Sequence, residues 1–184
     1  MSDRPHPQVE APVIPDDRPA RRRTYEWSDP HVVASAVTTR SGMELLAAMR
    51  DGALPPAPIS ATMGMDLIQV DDGLVVFTLE PREWHYNQTG GAHGGVHATL
   101  LDSAMGCAVH TRLPAGTSYT TLDISVRYLR AVRVDTGPVR CEGEVISLGR
   151  RVATAQGRIT DAAGKVLATG TTTCLISSAA TGGG

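Results

Sequence analysis

The run Val96-His97-Ala98-Thr99-Leu100-Leu101-Asp102-Ser103-Ala104-Met105-Gly106-Cys107-Ala108-Val109 constrains the fold more than any other stretch of the chain. Its residues are small or apolar on nearly every face, so as a helix it must be enclosed on most sides rather than lie on a surface. From Trp84 through Thr111, with histidines taken as neutral, Asp102 is the one side chain that carries a formal charge. A carboxylate in such a helix, with no cation near it in sequence, is costly unless something uses it. Catalysis is one such use.

The chain after this helix supplies the enclosure. In residues 121–128, Leu122, Ile124, Val126 and Tyr128 alternate with polar neighbours, and Val139, Cys141, Gly143 and Val145 alternate with Arg140, Glu142 and Glu144. Period-2 patterning of this kind marks half-buried strands. Turns at 148–151 and 161–164 set off two further strands, 152–160 and 166–176. Upstream, Ser41 and Glu44 form a capping box for a short helix ending near Gly52. Pro55, Pro56 and Pro58 predict an extended, non-helical connector. Asp71-Asp72-Gly73 between apolar runs signals a hairpin of strands 65–70 and 74–80. Strands in succession with one segregated helix predict an α+β fold, a long curved antiparallel sheet wrapped around a central helix in meander-like order.

One domain over 41–178 is expected. Residues 1–40 are expected to be a disordered or loosely ordered tail, because residues 1–30 hold half of the twelve prolines and the Arg21–Arg23 run, without apolar periodicity. Residues 179–184 are expected to fray. The net charge of −2 argues against nucleic acid or a membrane surface as partner of the folded part. No apolar stretch approaches the roughly 20 residues of a membrane span, and the N-terminus lacks the apolar segment of a signal peptide. Cys107, Cys141 and Cys174 sit in apolar stretches with no metal-ligand spacing, which suits reduced core thiols in a cytoplasmic protein without a metal.

The stretch Asn87-Gln88-Thr89-Gly90-Gly91-Ala92-His93-Gly94-Gly95, followed by Leu101-Asp102-Ser103-Ala104, resembles the hotdog-fold thioesterases of the phenylacetate-degradation type. Their pattern is an Asn, a Gly-rich turn, His-Gly-Gly, and an Asp nine residues after the His. The resemblance extends in element order over residues 55–177. It implies a hotdog fold, hydrolysis of acyl-coenzyme A thioesters, assembly as a homodimer or as a homotetramer built from dimers, and no cofactor beyond the coenzyme A of the substrate.

Thioester hydrolysis needs an activated water or a nucleophile, and donors for the oxyanion. Asp102 is the candidate general base or nucleophile; the residues leave these two open. Gly94 is the candidate oxyanion donor through its backbone N–H. Gly95 can approach a carbonyl closely, His93 can orient the loop or the thioester, and the Asn87 amide can donate to the carbonyl or position water. Each has a plainer alternative: a hydrogen-bonded polar pocket for Asp102, an ordinary glycine turn, a structural loop histidine, a turn-forming Asn. Thr120 and Thr121 can hold water or the Asp, or be surface threonines. Arg150 and Arg151, with Arg130 and Arg133, can meet coenzyme A phosphates or be solvated. Trp84, His85 and Tyr86 can line an acyl pocket or pack at a strand end.

Gly94 and Asp102 are separated by roughly 12 Å along one helix at ~1.5 Å per residue. If both act on one carbonyl, they must come from two protomers with antiparallel helices. The small residues Ala98, Thr99 and Gly106 beside Asp102 leave room for a neighbouring helix or substrate. The competing functions are a non-catalytic acyl-CoA binding or sensing protein and a hotdog dehydratase or hydratase, whose carbon chemistry this spacing fits poorly.

Overall fold

A computed structural model describes residues 20–178 of the chain. Six antiparallel strands, β1 (Met65–Asp71), β2 (Leu74–Leu79), β3 (Thr117–Tyr128), β4 (Val139–Leu148), β5 (Val152–Thr160) and β6 (Val166–Ser178), form one sheet in the order β1-β2-β4-β5-β6-β3. The meander expectation holds for β4 through β6. It fails for β3, which leaves the central helix and takes the far edge beside β6, so that β4 lies against β2.

Four helices accompany the sheet: α1 (Pro30–Ala36), α2 (Gly42–Arg50), α3 (Pro58–Met63) and α4 (Gly94–Thr111). The sheet curls around α4, which buries Leu100, Leu101, Ala104, Met105, Ala108 and Val109 against it. A glycine row governs how close that contact is. Gly143 on β4 stands opposite Gly157 on β5, which stands opposite Gly170 on β6. A Cβ on Gly143 would lie 2.3 Å from the carbonyl carbon of Ala104, so the helix backbone rests directly on the strand. At Gly157 and Gly170 the nearest helix atoms are side-chain atoms of Leu101 and Met105, at 3.0 Å and 3.2 Å.

The capping box on α2 forms: Glu44 N–H donates to Ser41 Oγ at 3.3 Å, and Ser41 N–H donates to Glu44 Oε2 at 2.9 Å. Gly42 at its start presses on the end of α4, where a Cβ would fall 1.7 Å from the His110 carbonyl oxygen. The proline-rich connector is shorter than expected. Pro58 opens α3 at a position where its missing N–H costs nothing, and left-handed Gly64 (φ 69°) closes the helix.

Residues 20–40, expected as loose tail, carry α1, whose Asp29 cap accepts from His31 N–H at 2.9 Å. In the same segment Arg23 donates to the carbonyls of Ala61 and Thr62. Residues 1–19 and 179–184 lie outside the described residues.

Replacing Gly143 with Ala should destabilise the fold by about 3 kcal/mol, because α4 backbone cannot retreat from the new methyl. Gly170→Ala should cost less, about 1 kcal/mol, since its contacts are looser, at 3.2 Å to the movable end of Leu101 and to the Ser125 carbonyl oxygen. Urea unfolding midpoints at unchanged m-value measure both, and equal costs would contradict the backbone contact.

Candidate functional site

Asp102 sits two turns below the start of α4. It is half-buried in the chain rather than enclosed, with Oδ1 accepting a hydrogen bond from Thr121 Oγ1 at 2.9 Å. A bulge brings Thr121 there. The pairing of β3 with β6 slips between Thr121 and Asp123, leaving Leu122 without a register partner and 57% exposed. The sequence alternation puts Leu122 and Tyr128 on the inner face; the structure turns Leu122 outward, leaves Tyr128 55% exposed, and aims Thr121 at the helix instead. Bulges re-aim side chains in this way.

The carboxylate opens on a cavity of about 460 Å³. Its walls are largely apolar, with Met49, Ile59, Met65 and Phe77 facing Asp102, Ser103, Cys107 and His110 of α4 and residues 118–121 of β3. The Cys107 thiol is pushed up to about 12 by burial, which leaves it protonated and unfit as a nucleophile. Gly106 does not leave open space beside Asp102. Tyr119 fills it, and a Cβ there would come 2.5 Å from the phenol oxygen.

A second cavity of about 430 Å³ lies at the start of α4, lined by Asn87, Gly94, His97, Tyr128, Arg130 and Arg133 among others. His93 is the N-cap: its Nδ1 accepts the Gly95 N–H at 2.9 Å, so that amide is already used. Gly94 occupies the first helical position, where the N–H has no intrahelical acceptor, and among the described residues none meets it. The Gly94 carbonyl accepts from Tyr128 OH at 3.1 Å. Asn87 Oδ1 accepts from Thr89 N–H at 2.9 Å and Thr89 Oγ1 at 2.7 Å, a turn-forming role. The same network fixes the amide orientation and turns the Nδ2 donors away from that turn.

Asn87 and Gly94 therefore share one cavity, and Thr120, Thr121 and Asp102 share the other; the two have no lining residue in common. His93 and Gly95 form the exposed cap of α4. Arg150 and Arg151 stand exposed at the β4–β5 turn and line neither cavity, whereas Arg130 and Arg133 border the Gly94 side. Trp84, His85 and Tyr86 also line neither. Tyr86 OH accepts from Val134 N–H, and His85 is buried with Nε2 on the Met63 carbonyl.

Sequence reasoning passed over His97. It is 6% exposed, stacks edge-on against Tyr128 at 5.7 Å, and lies 3.3 Å through Nδ1 from the His93 carbonyl. Its one signal is its position four residues after His93, which places it on the same face one turn along. No group of three or more His, Cys, Asp or Glu among the described residues can hold a metal ion, and no helix among them is long and apolar enough to cross a membrane.

His97, His110 and His85 have pKa values held below the ordinary 6.5, in each case first by burial, which disfavours the imidazolium. A histidine with a depressed folded pKa supports the fold above 6.5 and loses that support as pH falls through the folded value. The urea midpoint should therefore hold at about pH 7.5 and decline toward about pH 5, with His97→Gln flattening the slope. A midpoint rising on acidification would contradict this.

The model of the thioesterase superfamily matches residues 89–168, which include His93, Gly94, His97 and Asp102. A Halobacterium salinarum protein, itself named an esterase by inference, is 38% identical over 69 residues; the match covers 36% of this chain and 44% of that protein, less than half its length. Among solved structures, a phenylacetic acid degradation-related protein of Ralstonia eutropha JMP134 superposes with a TM-score of 0.65 at 26% identity, covering 71% of this chain and 98% of that one. A Streptococcus mutans UA159 protein bound to acetyl CoA superposes with a TM-score of 0.57 at 25% identity, covering 62% and 89%. The six-stranded antiparallel sheet curled on one central helix is a hotdog fold, and over residues 89–168 the chain matches the thioesterase superfamily and resembles its phenylacetate-degradation type.

Proposed function

We propose that the protein hydrolyses an acyl-coenzyme A thioester at a site shared by two copies of the chain. The observation that carries this reading is the division of the motif between two cavities. Asp102 with Thr121 stands at an apolar one, and the open Gly94 N–H with the Asn87 amide stands at the other, about 12 Å along the same helix. Two copies with antiparallel α4 helices would bring one copy's Asp102 to the other's Gly94. The outer side of edge strand β3 offers unpaired backbone for such a pairing, flanked by exposed Leu122, Tyr128 and Leu129. The acetyl CoA bound by the Streptococcus mutans relative supports a coenzyme A thioester as ligand.

In this reading the Gly94 N–H, aided by the positive end of α4, receives the thioester carbonyl oxygen and stabilises the negative charge that develops there. The partner's Asp102, oriented by its own Thr121, drives attack on the carbonyl carbon. It does so by taking a proton from water or by attacking directly to form an anhydride that water then opens. Collapse of the oxyanion breaks the C–S bond, and the thiolate leaves to be protonated. The acyl chain occupies the apolar cavity beside Asp102. Arg130 and Arg133 border the Gly94 side, where coenzyme A phosphates would emerge.

Asp102→Asn should lower thiol release from acyl-CoA by about a hundredfold or more while leaving thermal unfolding intact. Gly94→Pro removes the donor, with Gly94→Ala as the control for the added Cβ, which would come 3.1 Å from the Tyr128 ring. Proline is accommodated at the first helical position, and His93 before it (φ −61°, ψ 141°) already has the backbone a pre-proline residue prefers. Loss of the N–H should cost about a hundredfold. Co-expressing the Asp102→Asn and Gly94→Pro chains should restore about a quarter of wild-type activity, because half the dimers are mixed and each holds one intact site of two. No recovery would place the site within one chain. Saturable acyl-CoA binding without thiol release would replace hydrolysis with a binding role.

A further inference from the structure

The Asp102 cavity is closed on one side by α3, through Ala57, Ile59 and Ser60. This wall is weakly anchored by its own sequence. A six-residue helix is too short to be stable alone, and its N-cap, Ala57, makes no side-chain cap bond. Its C-terminal carbonyls are instead held from outside. Arg23 donates through Nη2 to the Ala61 carbonyl at 2.7 Å and through Nη1 to the Thr62 carbonyl at 2.6 Å. His85 lies 2.8 Å through Nε2 from the Met63 carbonyl, while its Nδ1 accepts the Arg82 N–H at 3.0 Å. Three successive carbonyls at the end of α3 are thereby capped from two remote segments.

Arg23 is built for this post. Its guanidinium lies 4.7 Å from the Trp84 ring and 4.9 Å from the Tyr25 ring, a geometry that stabilises the cation and fixes its plane. Across residues 20–30 it is the one residue that is half-buried rather than exposed. The N-terminal segment also meets the domain through the Arg21–Glu83 ion pair and the Val37 carbonyl, which accepts from Gly116 N–H, but the hydrogen bonds of Arg23 both go to α3.

We propose that Arg23 is a positioning residue for acyl-chain selectivity: it straps α3 in place, and the strapped helix limits the length of apolar acyl group the Asp102 cavity admits. This rests on the reading of that cavity as the acyl site. Without the fork, the Ala61 and Thr62 carbonyls lose their partners and the end of α3 is held only by the Gly64 cap and His85, so Ile59 can swing away from the cavity and longer chains gain room. Lysine cannot replace the fork, since a single ammonium does not reach two carbonyls in fixed geometry.

The test is kcat/KM by thiol release across straight-chain acyl-CoAs from acetyl to dodecanoyl, for the wild type, Arg23→Ala, Arg23→Lys and Ile59→Ala. Arg23→Ala should raise the ratio of the longest substrates to the best one by on the order of tenfold, the scale of an added methylene in an apolar pocket. Ile59→Ala should shift the ratio in the same direction with the strap intact, and Arg23→Lys should fall between the wild type and Arg23→Ala. An Arg23→Ala profile parallel to the wild type, whether at full or uniformly reduced activity, overturns the strap while leaving the hydrolase reading in place. Wild-type protein that releases thiol from no member of the series overturns that reading, and the strap's role in selectivity with it.

Discussion

The close approach of α4 to the sheet is the constraint on which the rest of the molecule depends. Strand β4 meets the helix backbone where Gly143 faces Ala104, and glycines on β5 and β6 continue the row, so the helix sinks into the curl of the sheet instead of riding above it. A helix held that deep has little freedom to rotate or slide, because overpacked cores resist even a methyl. Its N-terminus and its eighth residue beyond Gly94 are consequently fixed in space relative to both edges of the sheet. The motif inherits its geometry from the packing of the helix on the sheet.

That rigidity also explains why the motif divides. A helix has one axis, and groups eight residues apart on it cannot converge on a single carbonyl however the loops move. The fold answers at each end differently. At the start of α4, His93 takes the Gly95 N–H and leaves that of Gly94 open, which selects one donor from the four orphan amides of a helix terminus. At Asp102, the β3 bulge supplies a hydroxyl that fixes one carboxylate oxygen and leaves the other available. In the proposed two-copy reading each end is a half-site, and both lie near β3, an edge strand of the sheet.

Much of this was legible in the sequence because it rests on periodicity and capping. The apolar run of α4, the capping box at Ser41, the Asp-Asp-Gly hairpin and the alternation in β4 are local signals, and local physics honours them. The misses share a non-local cause. The inner-face assignment of Leu122 assumed an unbroken period of two, and a bulge inverts the phase with no mark in composition. The destination of β3 at the far edge depends on the sheet closing around α4, which no single strand encodes. Thr121, for which holding the Asp stood beside a surface role, reaches Asp102 because of both. His97 was hidden by the same apolar run that revealed Asp102, since a neutral histidine raises no charge to be explained.

The N-terminal segment shows the limit of reading order from composition. Prolines and an arginine run do predict a chain that cannot build its own core, and none of the residues of α1 is buried. Yet a segment without a core can still be placed by one well-met side chain, and Arg23 finds two carbonyls and two aromatic faces at once. The superfamily match begins at residue 89, so this contact, α3 and the first two strands all lie outside it. Matched residues carry the motif at α4; unmatched residues, through Ile59, Met65 and Phe77, shape the cavity into which Asp102 faces. In the proposed reading, the size of acyl group admitted is therefore set by residues outside the glycine row, and can change without moving Gly94 or Asp102 on α4.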